Sequence, residues 1–416
     1  MNKINKDWKE VKLGDIVDIT MGQSPKSQFY NKINKGMPFL QGSSTFGHLY
    51  PSFEIYSSDI KKIAVNGSIL MSVRAPVGDL NMANTDICIG RGLCSINGKN
   101  KSLNRYIFYL LNYYKSKIVN IQTGTVFGAI SKDNILNFKV SIPQSEKEQK
   151  YIASILSALD DKIELNNKTN KILEEMAQTI FKEWFINFNF PNEDSKPYKK
   201  SGGEMIDSEL GKIPKGWKVG TIGDYAKLKS GFAFKNSWWQ NDGIPVIKIQ
   251  NISSGNLNLE QCSFVSEDKY NIAENFRVNG GDLLITLTGS LGKFTIVPKL
   301  DKDALVNQRV GKFFLGEEPV KKLPFLYGIL NELKDLIVSL ANGSVQQNIS
   351  PNDVENVKII FPNDKILNKY NNLMQDIFYK IIFNQKENKK LSNIRDSLLP
   401  KLMTPKGRRA DGEIRV

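Results

Sequence analysis

Histidine occurs once in these 416 residues, at position 48. One imidazole cannot build a multi-histidine metal site and leaves little room for histidine-based nucleophilic catalysis. Cysteine is nearly as scarce. Cys88, Cys94 and Cys262 are scattered without metal-ligand spacing, a pattern that fits a reducing cytosol. No run of eighteen apolar residues occurs, and the N-terminal "MNKINKDWKEV" lacks the apolar stretch of a secretory signal, so a soluble cytoplasmic protein is expected. No G-x-G-x-x-G opens a helix after a strand. "GSLGKF" at Gly289 approaches a phosphate loop, but Leu287 stands where the first glycine belongs and Phe294 where Ser or Thr would hold magnesium. It reads as a turn between two strands. The carboxylate pairs Asp160-Asp161 and Glu174-Glu175 fall on a charged helix face and read as solvated rather than catalytic. No catalytic constellation emerges, and no cofactor is expected in this chain.

What is abundant is positive charge. The formal net charge is +14, which favours a polyanionic partner. It is unevenly spread: residues 1–145 carry about +9, 146–215 about −2, 216–362 about +1 and 363–416 about +6. With 40% hydrophobic residues, the chain can build packed cores, and its length predicts two or three domains.

The chain repeats itself. "WKEVKLGDIVDITMG" from Trp8 is answered by "WKVGTIGDYAKLKSG" from Trp217, so that Gly22 meets Gly231 and Lys26 meets Lys235. "GMPFL" at Gly36 is answered by "GIPVI" at Gly243, and "GSILMSVRAPVG" at Gly67 by "GDLLITLTGSLG" at Gly281. "TGTVFGAISKDNILNFKVSIP", ending at Pro143, is answered by "NGSVQQNISPNDVENVKIIFP", ending at Pro362. Four matched segments in one order mean an internal duplication. On this reading Arg91 and Arg309 occupy matching places.

Each half ends in a long heptad pattern. Ile152, Leu156, Leu159, Ile163, Asn166, Asn170, Leu173, Ala177, Ile180 and Trp184 alternate in steps of four and three. A shift of 218 gives Tyr370, Met374, Ile377, Ile381, Asn384, Asn388, Leu391, Arg395, Leu398 and Leu402. Asparagines interrupt both seams at the same two places. A buried amide is costly unless partnered, so an antiparallel pair with Asn166 facing Asn388 and Asn170 facing Asn384 would lock the register. The expected architecture is mixed α/β (α+β). Two similar globular domains, 1–145 and 216–362, are separated by a pair of long antiparallel coiled-coil helices, 146–190 and 363–403. Residues 191–215 read as a linker and 404–416 as a basic tail.

Two related readers at a fixed separation suit two short elements on one duplex. With its "W…LGD" and "W…IGD" starts, "NQRVGKF" at Asn307, "SVQQNIS" at Ser344, "SIPQSEKEQKYIASILSALDDKIELNN" and the terminal "LLPKLMTP…GEIRV", the chain resembles the DNA-specificity subunit of type I restriction-modification systems along essentially its whole length. The resemblance implies a non-catalytic subunit that recognises an asymmetric bipartite target in double-stranded DNA. It implies two modification subunits that methylate adenine with S-adenosylmethionine, and motor-nuclease restriction subunits that use ATP and Mg; no membrane is involved. Arg and Lys suit guanine, Asn and Gln adenine. The candidate DNA-binding residues are therefore Lys26, Gln28, Tyr30, Gln41, Arg74 and Arg91 in the first domain. In the second they are Lys235, Trp239, Lys248, Gln250, Asn251, Lys293, Arg309 and Gln346, with Trp238 and Trp239 also candidates for the core. A duplicated protein-interaction scaffold is the alternative, and the basic first domain argues against it.

Overall fold

In the computed structural model, residues 7–121, 128–253, 256–259, 262–341 and 347–405 are described. The chain divides into two units: residues 1–165 with 389–416, and residues 166–388. The division falls inside both long helices, Glu146–Phe181 and Asp364–Leu402.

The first unit starts with strand Trp8–Lys12, which pairs antiparallel with Lys139–Pro143, Trp8 opposite Pro143. The alternating burial of Val17–Met21 marks a strand with one face on the core. It joins an antiparallel sheet in the order Val17–Met21, Leu93–Gly98, Ile69–Ser72, Leu80–Met82. Ile69–Ser72 is buried along its whole length, as its unbroken apolar run requires. A second sheet runs Tyr30–Asn31, Tyr56–Ser57, Met37–Leu40, Ile87–Ile89, Ile63–Ala64, with Met37–Leu40 and Ile87–Ile89 parallel. Helix Asn104–Val119 buries Tyr106 to Leu111 in a core shared with Ile152, Leu156, Leu402 and Met403.

The second unit repeats this order. Lys218–Thr221 pairs with Lys358–Phe361. Lys227–Ser230, Val310–Phe314, Leu283–Thr286 and Phe294–Ile296 form the four-stranded sheet. Ser263–Val265, Ile244–Ile247, Ala304–Val306 and Arg277–Val278 form its neighbour, again with one parallel pair. "GSLGKF" lies between Leu283–Thr286 and Phe294–Ile296, the turn its sequence suggested. Residues 191–215 contain a hairpin, Met205–Ser208 with Gly211–Pro214, and Tyr198, whose ring stacks on Phe190 at 4.6 Å between centroids.

The heptad positions are where the helices bury themselves. In the first unit Ile152, Leu156 and Ile163 are buried, and in the second Ala177, Tyr370, Met374 and Ile381. Within the second unit the Asn166 amide donates to Asn388 Oδ1 and the Asn384 amide to Asn170 Oδ1, both at 2.8 Å. Asn388 in turn donates to Asn167 Oδ1 at 2.8 Å. Rising numbers on one strand of contacts meet falling numbers on the other, so this pairing is antiparallel.

One expectation is overturned. Asp160 is not on a wet face: it is 2% exposed, because its helix position faces Tyr109 and Arg395 rather than water. Glu174 is half-buried.

Candidate nucleic-acid interface

In each unit, loops from both sheets converge on a single turn. In the first, Gly22 N–H donates to Leu93 O and Gly90 N–H to Leu40 O, and Leu93 N–H closes a turn onto Gly90 O at 3.0 Å. In the second, Gly231 N–H donates to Val310 O and Asn307 N–H to Ile247 O, and Val310 N–H closes onto Asn307 O at 2.9 Å. Glycine is required at the first position of each set. A β-carbon would stand 2.2 Å from Gly90 O at Gly22, and 2.2 Å from Val306 O at Gly231.

These equivalent bonds align the halves residue by residue, and they correct one pairing. Arg91 and Arg309 do not match. Gly90 corresponds to Asn307, so Arg91 matches Gln308 and Gly92 matches Arg309; Val73 N–H donates to Gly92 O as Leu287 N–H does to Arg309 O. Matching the arginines by residue type slipped the register by one, because the turn is held by backbone bonds rather than by side-chain identity. Lys26 and Lys235 do match. Each precedes a short helical turn, Ser27–Phe29 and Asn236–Trp238, with equivalent bonds from Phe29 and Trp238 N–H.

In the first unit Lys26, Gln28, Gln41, Arg74 and Arg91 are exposed and Tyr30 is half-buried. Ser24 ties three loops together, donating to Gln41 Oε1 at 2.9 Å and accepting from Arg91 N–H at 3.2 Å. Tyr30 stacks on Phe39 at 4.7 Å and donates to Pro25 O. Burial and the nearby Cys88 push its phenol up, against the opposing charge of Arg91. Arg74 follows Val73, whose N–H donates to Gly92 O in that turn, and its backbone is bridged to Ala129.

In the second unit Lys235, Gln250 and Arg309 are exposed, while Trp239, Lys248 and Lys293 are half-buried. The Lys248 ammonium sits 3.6 Å from the centre of the Trp239 ring and donates to Ser263 Oγ at 2.7 Å. Desolvation lowers its pKa despite the opposing influence of Cys262. Lys235 and Lys269 flank Trp238, at 5.8 and 5.2 Å from its ring centre. Asn251 differs from the other candidates: it is 1% exposed, and its amide accepts from Lys248 N–H and donates to Asn258 O. That side chain holds the loop rather than facing outward. Lys293 takes the place of Asp79, each receiving the same backbone contacts from Thr286 and Ser72. Gln346 lies outside the described residues, as does the basic tail from residue 406.

Sequence reasoning missed Ser24, Lys269 and Gln308. Gln308 was findable: anchoring "GRGLCS" on "NQRVGK" by the turn rather than by the arginine places it opposite Arg91. Among the described residues no cluster of three metal-type ligands occurs, and no helix is long and apolar enough to cross a membrane.

Two copies of one α/β reader, each feeding a long helix, define a class of duplicated recognition subunit. The family model "Type I restriction modification DNA specificity domain" matches residues 5–175 and 214–393, and the chain belongs to that family as a specificity subunit. It is 30% identical to the type I restriction enzyme MjaIX specificity subunit of Methanocaldococcus jannaschii, over 100% of this chain and 95% of that one. It is 44% identical to the putative MjaX specificity subunit of the same organism over 43% of each chain. Its fold is similar to that of the type I restriction-modification S subunit from M. genitalium, with a TM-score of 0.57, 16% identity, and coverage of 97% of this chain and 98% of that one.

Proposed function

We propose that this chain recognises an asymmetric, bipartite sequence in double-stranded DNA and directs partner subunits to it. Each domain, 1–145 and 216–362, reads one half-site, and the helices at 146–190 and 363–403 fix the spacing through Asn166, Asn170, Asn384 and Asn388. Catalysis belongs to the partners. Two modification subunits transfer a methyl group from S-adenosylmethionine to adenine, and motor-nuclease subunits restrict with ATP and Mg. The setting is cytoplasmic.

The observation that carries this reading is the repeated loop cluster, filled differently in its two copies. Tyr30 is replaced by Trp239, Gln41 by Lys248 and Arg91 by Gln308 on equivalent backbone. Identical frames with different polar groups suit two different short sequences, because base identity is read by side-chain hydrogen bonding in the major groove. The charge of the first domain supplies the salt-dependent phosphate term.

Methylation mapping tests it. The chain is expressed with its neighbouring modification subunit in a methylation-free host, against a control lacking the chain. A new split adenine motif with unlike halves is the expected result. An assembled complex that leaves no motif overturns the reading in favour of a protein scaffold.

A further inference from the structure

We propose that the turns 90–93 and 307–310 are equivalent base-reading turns, and that Gln308 with Arg309 sets the base choice of the second domain where Arg91 acts alone in the first. This rests on the DNA-specificity reading above and names the side chains that decide it.

The backbone explains why the two turns present different numbers of side chains. In the first, Gly92 N–H donates to Gln41 O at 3.2 Å, and a β-carbon on residue 92 would lie 2.4 Å from that oxygen. Only glycine fits, so Arg91 is the one side chain projecting from the middle of the turn. In the second, Arg309 stands in the place of Gly92, and its N–H turns instead to Asn307 Oδ1 at 3.3 Å. The middle of that turn therefore carries two side chains, Gln308 and Arg309, both exposed.

Among the described residues, no hydrogen bond or ion pair engages the side chains of Arg91, Gln308 or Arg309, whereas Asn251, Lys248 and Gln41 are bonded within the protein. A base-reading group has to keep its donors and acceptors for the groove. The turns are anchored by four equivalent backbone bonds, so their side chains start from a fixed base. The chemistry follows from the residue types. Arginine pairs bidentately with guanine O6 and N7, and glutamine with adenine N6 and N7. Arg91 requires guanine at one position of the first half-site; Gln308 and Arg309 require adenine and guanine in the second.

The test maps methylation by the full complex carrying Gln308→Glu, Gln308→Ala or Arg91→Ala, beside the wild-type chain. Gln308→Glu keeps the shape of the side chain and replaces its donor with an acceptor. The expected result is a loss of about tenfold or more in preference for adenine at one position of one half-site, with the other half-site unchanged. Arg91→Ala relaxes one guanine in the opposite half-site. A wild-type motif that neither Gln308 variant alters overturns the role of the turn. So does uniform loss of modification at all sites by both Gln308 variants in complexes that still assemble, since that marks affinity or folding rather than base choice. No motif from the wild-type chain overturns the DNA-specificity reading itself.

Discussion

The same place in the two units is filled by opposite chemistry. In the first, Asp160 is buried between Tyr109, whose hydroxyl donates to Oδ2 at 2.6 Å, and Arg395, which donates to Oδ1 at 2.7 Å; His48 Nε2 lies 2.9 Å from Oδ1. A shift of 218 along each heptad replaces Asp160 by Phe378 and Tyr109 by Tyr327, and Arg395 answers to Ala177. Phe378 and Ala177 are buried in one apolar core, with the Tyr327 ring edge-on to Phe378 at 5.2 Å. One backbone arrangement thus accepts either a buried ion network or packed rings. The backbone geometry comes from helix periodicity and sheet pairing, which both fillings satisfy. What differs is the tolerance for error. A Phe–Ala contact accepts many neighbours, whereas a buried carboxylate accepts only those that bring a cation and donors.

The largest expected effect comes from breaking the network. Asp160→Ala leaves Arg395 and Tyr109 without their acceptor and should cost the first unit about 3–4 kcal/mol. Copying the second unit, Asp160→Phe with Arg395→Ala, should recover most of that, since replacing a buried ion pair by packed apolar groups is often neutral. Hydrogen exchange across Asn104–Val119 in the full chain reads both. A double variant as unstable as the single one would show that the two junctions are not interchangeable.

The second unit has its own buried polar pair. Asn384 is fully buried, and its Oδ1 has no hydrogen-bond partner among the described residues. Asn170→Leu with Asn384→Leu should raise the stability of this unit by roughly 1–2 kcal/mol while weakening the preference for one register. Urea denaturation gives the first quantity. Disulfide trapping between cysteines introduced at neighbouring heptad positions gives the second, and a register still unique would remove the locking role from the asparagines.

The smallest effect separates the units by pH. Burial opposes ionisation of Asp160, but the hydrogen bond from His48, the charge of Arg395 and the hydrogen bond from Tyr109 together hold its pKa below the usual 3.8. Its contribution is present above that value and lost as pH falls through the lowered one. Glu174, half-buried in the second unit, is pushed up to about 7 by burial and by Glu175. A raised carboxyl works the other way: the folded state holds the extra proton, so stability declines as pH rises from about 4.5 to 7 and is flat above. Glu174→Gln should therefore stabilise the second unit by about 1 kcal/mol at pH 8 and little at pH 4, after allowing for solvent screening. Exchange protection of Leu323–Glu332 against pH reads this directly.

Much of this was legible beforehand. The duplication, the two strand-rich readers and the long helices follow from short-range patterns: glycine-bounded apolar runs, a heptad and matching segment ends. The asparagine positions were equally visible, since a periodic seam makes any polar interruption conspicuous. The candidate site was less legible. Gln41 and Arg91 do converge through Ser24, but Asn251 turns inward and Arg309 pairs in register with Gly92. Residue type suggested the chemistry; orientation depended on backbone bonds that no residue type announces.

The sequence by itself determined the repeat, the helical registers and the family, because periodicity and local backbone preference act over a few residues. Only the tertiary structure decided which side chains met. His48 reaches Asp160 across 112 residues, Arg395 reaches the same carboxylate across 235, and the turn around Gln308 is set by strands from two sheets. Such partners are chosen by long-range packing and by the cost of burying an unpaired polar group, and neither leaves a mark in the neighbouring sequence.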